Sequence, residues 1–283
     1  VLRIQENHPN AEGNRQQVKR RKQAGPVQLP FPAVTITQAK QLAKDITSLA
    51  DRTRLPHADD MKISLAMIVK NEESVLADCL QSAQGLVDEM IVVDTGSTDR
   101  TVEIAKEFGA KVVDFPWTGS FSEARNVSLE HATGDWVLQL DADEQLIPEQ
   151  HSETRALLAK TYREGFVLIE HNYTGTSDDA PVIPQAAMRI WRNRPQYRFS
   201  GIIHEQKNDS MPTWLAERFE ETEINILHFG YLKEVVHSKN KSQRNMDLLF
   251  LEAEKDPNPF NSFNLGTEYI ILEDYQNALH CFE

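Results

Sequence analysis

The sequence is poor in the residues that mark several classes of protein. Two cysteines, Cys79 and Cys281, occur among 283 residues, and their spacing matches no metal-binding or redox motif. A disulfide framework is therefore not expected, and free thiols favour a reducing, cytoplasmic location. Apolar runs of membrane-spanning length and an N-terminal signal segment are also lacking, so no integral membrane segment is predicted.

Positive charge is scarce as well. Thirty Lys and Arg face 43 Asp and Glu, which leaves a formal net charge of −13. Broad binding to nucleic acid or anionic lipid is disfavoured, and we expect no nucleic-acid partner. Residues 1–60 are the exception, because a basic run at Lys19–Lys22 precedes a helical apolar pattern from Thr37 to Leu55. They predict a basic linker followed by an amphipathic helix.

From Met61 onwards, apolar runs of strand length alternate with helical patterns. The second helix is expected to be capped by Ser97, Thr98 or Asp99, and the third to open with a capping box from Ser120 to Glu123. This alternation predicts an α/β domain with a mostly parallel sheet over residues 61–230. Its first four strands are predicted at residues 63–69, 90–93, 111–115 and 136–140.

The pattern changes after Pro148. A helix to about Tyr162 is followed by extended segments, and two helical stretches at 231–254 and 262–283 place a domain boundary near residue 231. The extended segments are predicted at residues 165–171, 186–191, 197–206 and 223–229.

Polar residues directly follow three of the predicted strands. Because ligands of such sheets bind at the carboxyl ends of the strands, we expect the three segments to converge. Asp141 and Asp143, two positions apart, can point to one side and suit Mg²⁺ or Mn²⁺ with a diphosphate. Asp94 can accept hydrogen bonds from a base or ribose beside a helix N-terminus. The segments are Lys70–Glu73, Asp94–Asp99 and Asp141–Glu144.

Four segments, taken in order, resemble the motifs of family 2 glycosyltransferases: Met67–Glu73, Val92–Thr101, Phe121–Asn126 and Leu140–Glu144. The resemblance spans about residues 61–230. It implies a GT-A fold, a Rossmann-like nucleotide-diphospho-sugar transferase domain. It also implies inverting transfer of a sugar from a nucleotide-diphosphate donor, usually a UDP-sugar, to an acceptor such as a peptide, a protein or a cell-envelope glycan.

The resemblance also implies roles for individual residues. Asp94 would contact the base, and Arg125 would neutralise base-proximal or phosphate oxygens. Asp141 would reach the ribose or the metal, and Asp143 would bind Mn²⁺ or Mg²⁺ directly. The nucleoside pocket would be lined by Val69, Asn71 and Glu72.

Inverting transfer needs a carboxylate that takes the proton of the acceptor. The expected base is Glu205, with His204 as a second catalytic candidate, in a stretch similar to the branch that includes bacterial bacteriocin S-glycosyltransferases. On a regular strand the two side chains would face opposite sides, whereas a loop or bulge would lift that restriction. A surface ion pair for Glu205 and a structural role for His204 are the alternatives.

Three other side chains belong to the expected site. His228 ends a predicted strand and is a candidate third metal ligand, with a buried structural histidine as the alternative. Arg189 and Arg192 are expected to share one face of a strand and to contact the acceptor or the diphosphate, unless they are solvent-exposed charges.

The C-terminal segment, residues 231–283, carries a second resemblance. Its residues match the spacing of a tetratricopeptide repeat, so further repeats are expected beyond Glu283, and the helices are candidates for a protein contact. A plain helical hairpin is the alternative. The matching residues are Leu265, Gly266, Tyr269, Tyr275, Ala278 and Phe282.

Two further functions remain open from the sequence. A catalytically inactive transferase-like domain could act as a repeat-type adaptor, although both carboxylates of the Asp-x-Asp pair are present. A nucleotidyltransferase would share the sheet and the acidic pair. It usually carries a Gly-rich, basic phosphate loop after its first strand, where this chain has Lys70–Glu73.

Overall fold

The computed structural model describes residues 60–159, 161–173, 181–207, 210–230 and 235–283, with the side chains of the last range described from residue 244. The predicted basic linker and amphipathic helix before Asp60 lie outside the described residues.

The first half of the sheet is parallel, as predicted. Its strands follow the order β3-β2-β1-β4. Nearly every residue of β1 is buried, which is typical of a parallel strand covered on both faces. The strands are β1 (Ile63–Val69), β2 (Glu89–Asp94), β3 (Lys111–Asp114) and β4 (Trp136–Gln139), and the connecting helices are α1 (Leu76–Ala83), α2 (Thr101–Glu107) and α3 (Phe121–His131).

The sheet continues beyond β4 with mixed pairing, in the order β7-β6-β8-β5. β7 runs antiparallel to β4 and to β6, while β6 and β8 are parallel. β5 pairs antiparallel with β8 and was not expected from the sequence. The elements of this half are β5 (Glu144–Leu146), a 3₁₀ turn (Pro148–Gln150), α4 (His151–Ala159), β6 (Gly165–Tyr173), β7 (Val182–Arg192) and β8 (Phe219–His228).

The two halves share one core around Trp136. This side chain is fully buried and packs against Phe166, with the ring centroids 5.5 Å apart. The guanidinium of Arg192 lies 4.0 Å from the Trp136 ring centroid. β4 ends at Gln139, two residues before Asp141. The packing of Trp136 therefore helps to fix the position of the acidic motif at the end of the sheet.

The prediction of an extended segment over residues 197–206 is wrong. Ser200 and Gln206 form an isolated bridge, and the chain between them bends. Gly201 and His204 have φ angles of 90° and 51°, which a regular strand does not allow. We call residues 200–206 the base loop, since it carries Glu205.

Of the three residues expected to cap α2, Asp99 does so, whereas Ser97 and Thr98 do not. The helix begins at Thr101 after Arg100, and the Oδ1 of Asp99 accepts the backbone N–H of Thr101 at 3.0 Å. Ser97 is used elsewhere, because its hydroxyl accepts the backbone N–H of Asn71 at 2.9 Å. Its side chain therefore ties two strand-end loops together instead of capping the helix.

The cap of α3 is confirmed in its main contact. The Ser120 hydroxyl accepts the backbone N–H of Glu123 at 3.3 Å. The reciprocal half of the capping box is replaced, since the Glu123 carboxylate accepts the hydroxyl of Thr118 at 2.7 Å.

Three helices end the chain: α5 (Val235–Lys255), α6 (Pro259–Ile271) and α7 (Tyr275–Phe282). The predicted stretch 262–283 is broken at Glu273, whose φ is 61°. Gly266 allows α6 and α7 to approach closely, because a Cβ there would lie 2.6 Å from the Phe282 ring. Within the described part of the chain, we find no helix both long and apolar enough to span a bilayer.

Gly134 is a second site of close approach, just before β4. A Cβ at this position would lie 2.9 Å from the carbonyl oxygen of Lys62 and 2.7 Å from the hydroxyl of Ser64. The contact is to the backbone of the neighbouring strand, which cannot easily move. We expect Gly134→Ala to lower the free energy of unfolding by about 1–3 kcal/mol, measured by urea denaturation. An unchanged midpoint and slope would contradict the close approach.

Candidate active site

An open cavity of about 350 Å³ lies at the carboxyl ends of β1, β2 and β4. The three polar strand ends meet there, as their topology predicts. Two other parts of the chain complete the wall, since His228 comes from the end of β8 and Arg244 from α5. Strand-end and α3 residues in the lining include Val69, Lys70, Glu72, Thr95, Phe121, Arg125, Asp141 and Asp143.

The loops after β1 and β2 hold each other in place. Asn71, with a φ of 56°, accepts the backbone N–H of Thr98 on its side-chain oxygen at 2.8 Å. The backbone N–H of Glu72 donates to the Thr101 hydroxyl at 2.7 Å. These contacts join the two segments predicted for the nucleoside pocket, and Glu72 lines the cavity whereas Asn71 lies outside its described lining.

Asp94 braces the turn that follows β2. Its carboxylate is buried and accepts the backbone N–H groups of Gly96 and Ser97, at 3.3 Å and 3.1 Å. The side chain therefore shapes the loop beside the cavity and does not enter the described lining.

Arg125 links the acidic motif to the base loop. Its Nη2 donates to Asp141 Oδ1 at 2.9 Å, and its Nε donates to the carboxylate of Glu205. Burial alone would raise the pKa of Asp141, but Arg125 and Arg189 outweigh it and hold that pKa well below the usual range. Asp141 is therefore a fixed anion at neutral pH.

Glu205 and His204 have different surroundings. The Glu205 side chain is 13% exposed and faces Arg125, whereas His204 is exposed. The base loop is not a regular strand, so the restriction on their facing directions does not apply, yet only Glu205 reaches Arg125. The loop is tied to α3, since the Phe121 backbone N–H donates to the Ile202 carbonyl at 2.8 Å.

His228 lies between acidic and amide groups. Its Nε2 is 3.6 Å from Asp143 Oδ1, and its Nδ1 is 2.6 Å from Asn172 Oδ1 and 3.1 Å from Glu170 Oε1. Burial disfavours the charged ring, but the hydrogen bonds to Asp143 and Glu170 prevail and raise the pKa of His228 to about 10.

These groups fit a divalent cation. Asp143 and His228 place an oxygen and a nitrogen across a short gap, and a cation bound there would take the place of the proton on His228 Nε2. Glu170 can orient the ring from behind, as carboxylates do for histidine ligands. Asp141 is less free, because its oxygens lie 2.9 Å from Arg125 and 3.8 Å from Arg189. Direct coordination is therefore better supported for Asp143 and His228 than for Asp141.

Sequence reasoning missed the partners of Arg189. The buried guanidinium donates to Glu144 and, at 2.9 Å, to Glu170 Oε2. Burial raises the pKa of Glu144 to about 8, with Arg189 acting in the opposite direction. Glu144, Glu170 and His228 also lie close enough together to hold a metal ion, but Arg189 already contacts both carboxyl groups. The sequence did contain one indication of this network, because Glu170 is a charged residue at a buried position of β6 and so needs a cationic partner.

The expectation that Arg189 and Arg192 share a face is wrong. They are three positions apart on β7, so alternation places them on opposite faces. Arg192 stacks on Trp136 and donates to the carbonyl of Thr161 at 2.7 Å.

Lys207 is a further residue that the sequence did not indicate. Its Nζ lies 3.3 Å from the side-chain amide of Gln139 and above the rings of Trp191 and Phe199, 4.4 Å and 4.5 Å from their centroids. Burial, reinforced by the charges of Arg125 and Arg189, lowers the pKa of Lys207 to about 7. This amine lies outside the cavity lining, near Arg125 and Arg189.

Comparison with known proteins agrees with the motifs. The sequence model of Glycosyl transferase family 2 matches residues 64–214, more than half of the chain. An uncharacterized glycosyltransferase of Rickettsia typhi is 31% identical over 74% of this chain and 74% of its own length. Glycosyltransferase SunS of Bacillus subtilis is 30% identical over 78% of this chain and 52% of its own length.

A third relative bears on the C-terminal helices. A protein of Synechococcus elongatus, named a TPR repeat-containing protein, is 38% identical over 65% of this chain, which spans 46% of that relative's length. The α/β domain followed by helices has the GT-A-like architecture expected from the sequence. With its motifs in order around one cavity and its family match over residues 64–214, the chain belongs to glycosyl transferase family 2.

Proposed function

We propose that this chain transfers a sugar from a UDP-sugar to an acceptor, with inversion and with Mn²⁺ or Mg²⁺. The observation that carries the proposal is a cavity lined by Asp141, Asp143, His228 and Arg125. Arg125 pairs there with Asp141 and also with Glu205, which lies outside that lining on the base loop. The side chain of Arg125 thus connects the proposed nucleotide and metal sites with the candidate base.

The donor would lie across the ends of β1 and β2. Val69, Glu72 and Thr95 line that side of the cavity, and the interlocked loops keep it in shape. When bound, a divalent cation would stabilise negative charge on the departing diphosphate. Asp143 and His228 would hold it, with Asp141 oriented by the two guanidinium groups towards the ribose or the metal.

Glu205 would accept the proton of the attacking acceptor group. Its carboxylate accepts a hydrogen bond from Arg125, which also donates to Asp141. The position of the base is therefore fixed relative to the donor site by one side chain. A base works only within hydrogen-bond reach of the proton that it takes, and this shared anchor would provide that precision. Exposed His204 would then have at most an accessory role.

A peptide, protein or cell-envelope glycan is the proposed acceptor class. The similarity to SunS supports the branch that includes bacteriocin S-glycosyltransferases. An inactive adaptor is the alternative, although the ion-paired Glu205 and the intact Asp-x-Asp pair are what an active site needs. The family match gives no support to a nucleotidyltransferase.

The metal assignment predicts that Asp143→Asn removes metal-dependent nucleotide binding. Calorimetric titration with UDP and Mn²⁺ should show binding by the wild type that chelation abolishes and that GDP does not reproduce. The variant should bind UDP equally weakly with and without Mn²⁺, because a neutral amide is a poor ligand for a hard cation. Asp114→Asn, an exposed acidic residue at the end of β3, is the matched control. Wild-type affinity in Asp143→Asn would refute the assignment.

The base assignment predicts a separation of chemistry from binding. Glu205→Gln keeps the size of the side chain and a hydrogen bond to Arg125, but loses the proton acceptor. Turnover of a hydrolysable UDP-sugar to free sugar should fall about a hundredfold or more, with UDP affinity unchanged. Glu217→Gln, at an exposed glutamate, should leave the rate unaltered. Equal rates for Glu205→Gln and wild type would exclude Glu205 as the base.

A further inference from the structure

Arg244 brings a positive charge into the cavity from outside the matched family region. It is carried by α5, and it lines the same cavity as Asp141 and Asp143. Its guanidinium carbon lies 5.3 Å from the ring centroid of Phe121, so the side chain rests on an aromatic face of α3.

Helix α5 is held firmly against the base loop. Met246, Leu249 and Ile203 are buried in one apolar cluster, against which Phe121 packs. The Glu252 carboxylate accepts the backbone N–H of Ile202. Arg244 lies two residues before buried Met246 on this packed helix. The packing of the helix therefore fixes the position of Arg244 at the cavity.

The charge of Arg244 has no carboxylate partner among the described residues. Its one side-chain hydrogen bond there goes to the neutral amide of Asn245, at 3.1 Å. Arg125, the other arginine in the lining, is fully engaged by Asp141 and Glu205. Within that part of the chain, Arg244 thus brings to the cavity a guanidinium that is not ion-paired, on a residue that stays accessible although burial against Phe121 lowers its pKa.

A diphosphate is the anion that fits this position. One divalent cation at Asp143 neutralises only part of the charge of a nucleoside diphosphate. A planar guanidinium donates to two phosphate oxygens at once, which a lysine amine cannot match. The remaining negative charge would therefore meet Arg244 on the side of the cavity formed by α3 and α5.

We propose that Arg244 binds the diphosphate of the nucleotide donor, so that helix α5 completes the donor site. The inference rests on the proposed function and adds a binding residue to it. It predicts that the helices after the catalytic domain contribute directly to donor affinity.

The experiment compares UDP with uridine, which lacks the diphosphate. Arg244→Gln should weaken UDP binding in the presence of Mn²⁺ about tenfold or more, with uridine binding unchanged. Arg244→Lys should recover part of the loss, because the charge returns without the planar donor pair. The matched control is Arg218→Gln, since Arg218 also stacks on an aromatic ring, that of Tyr162 at 5.8 Å, away from the cavity lining.

Two results would overturn the proposal. Unchanged UDP affinity in Arg244→Gln would show that the diphosphate does not contact this side chain. An equal loss for UDP and uridine would show a general disturbance of the pocket. Failure of the wild-type chain to bind UDP at all would instead refute the proposed donor class, and the assignment of Arg244 with it.

Discussion

The candidate site depends on one buried guanidinium. Arg125 is shielded from water on α3, and a buried charge is strongly unfavourable unless other charges and hydrogen bonds compensate it. Its partners are Asp141, at the end of β4, and Glu205, on the base loop. Satisfying this one residue therefore draws a strand end and a loop 80 positions along the chain to the same place.

A second guanidinium organises the opposite wall. Arg189 faces three carboxyl groups, those of Asp141, Glu144 and Glu170, and Asp141 is shared with Arg125. Burial raises the pKa of Glu144 against the opposing charge of Arg189, and hydrogen bonds to Asp143 and Glu170 raise the pKa of His228. Such a network is weak evidence for stability, because desolvation opposes it, but it orients the groups that would hold a cation.

The C-terminal helices contact both the cavity and the base loop. Their contact with the base loop combines apolar packing around Ile203 with the hydrogen bond from Ile202 to Glu252. The boundary predicted near residue 231 stays a prediction, yet across it the helices touch the loop that carries Glu205. A change on α5 would therefore reach both the cavity and the base loop through direct contacts.

The sequence by itself determined the parallel half of the sheet and the convergence of its polar ends. Those features depend on patterns within a few residues, such as the buried run of β1 and the cap of Ser120, and on the rule that parallel strands end at one edge. The family motifs lie in the same segments.

Only the tertiary structure decided which charges meet. The decisive contacts join residues that are far apart in the chain, and no local periodicity encodes them. They are the pairs Arg125–Glu205 and Arg189–Glu144 and the position of Arg244 at the cavity. The base loop was misread as a strand for a related reason. Its conformation is set by positive φ angles at Gly201 and His204 and by contacts with α3 and α5, so its apolar residues imitate a strand without forming one.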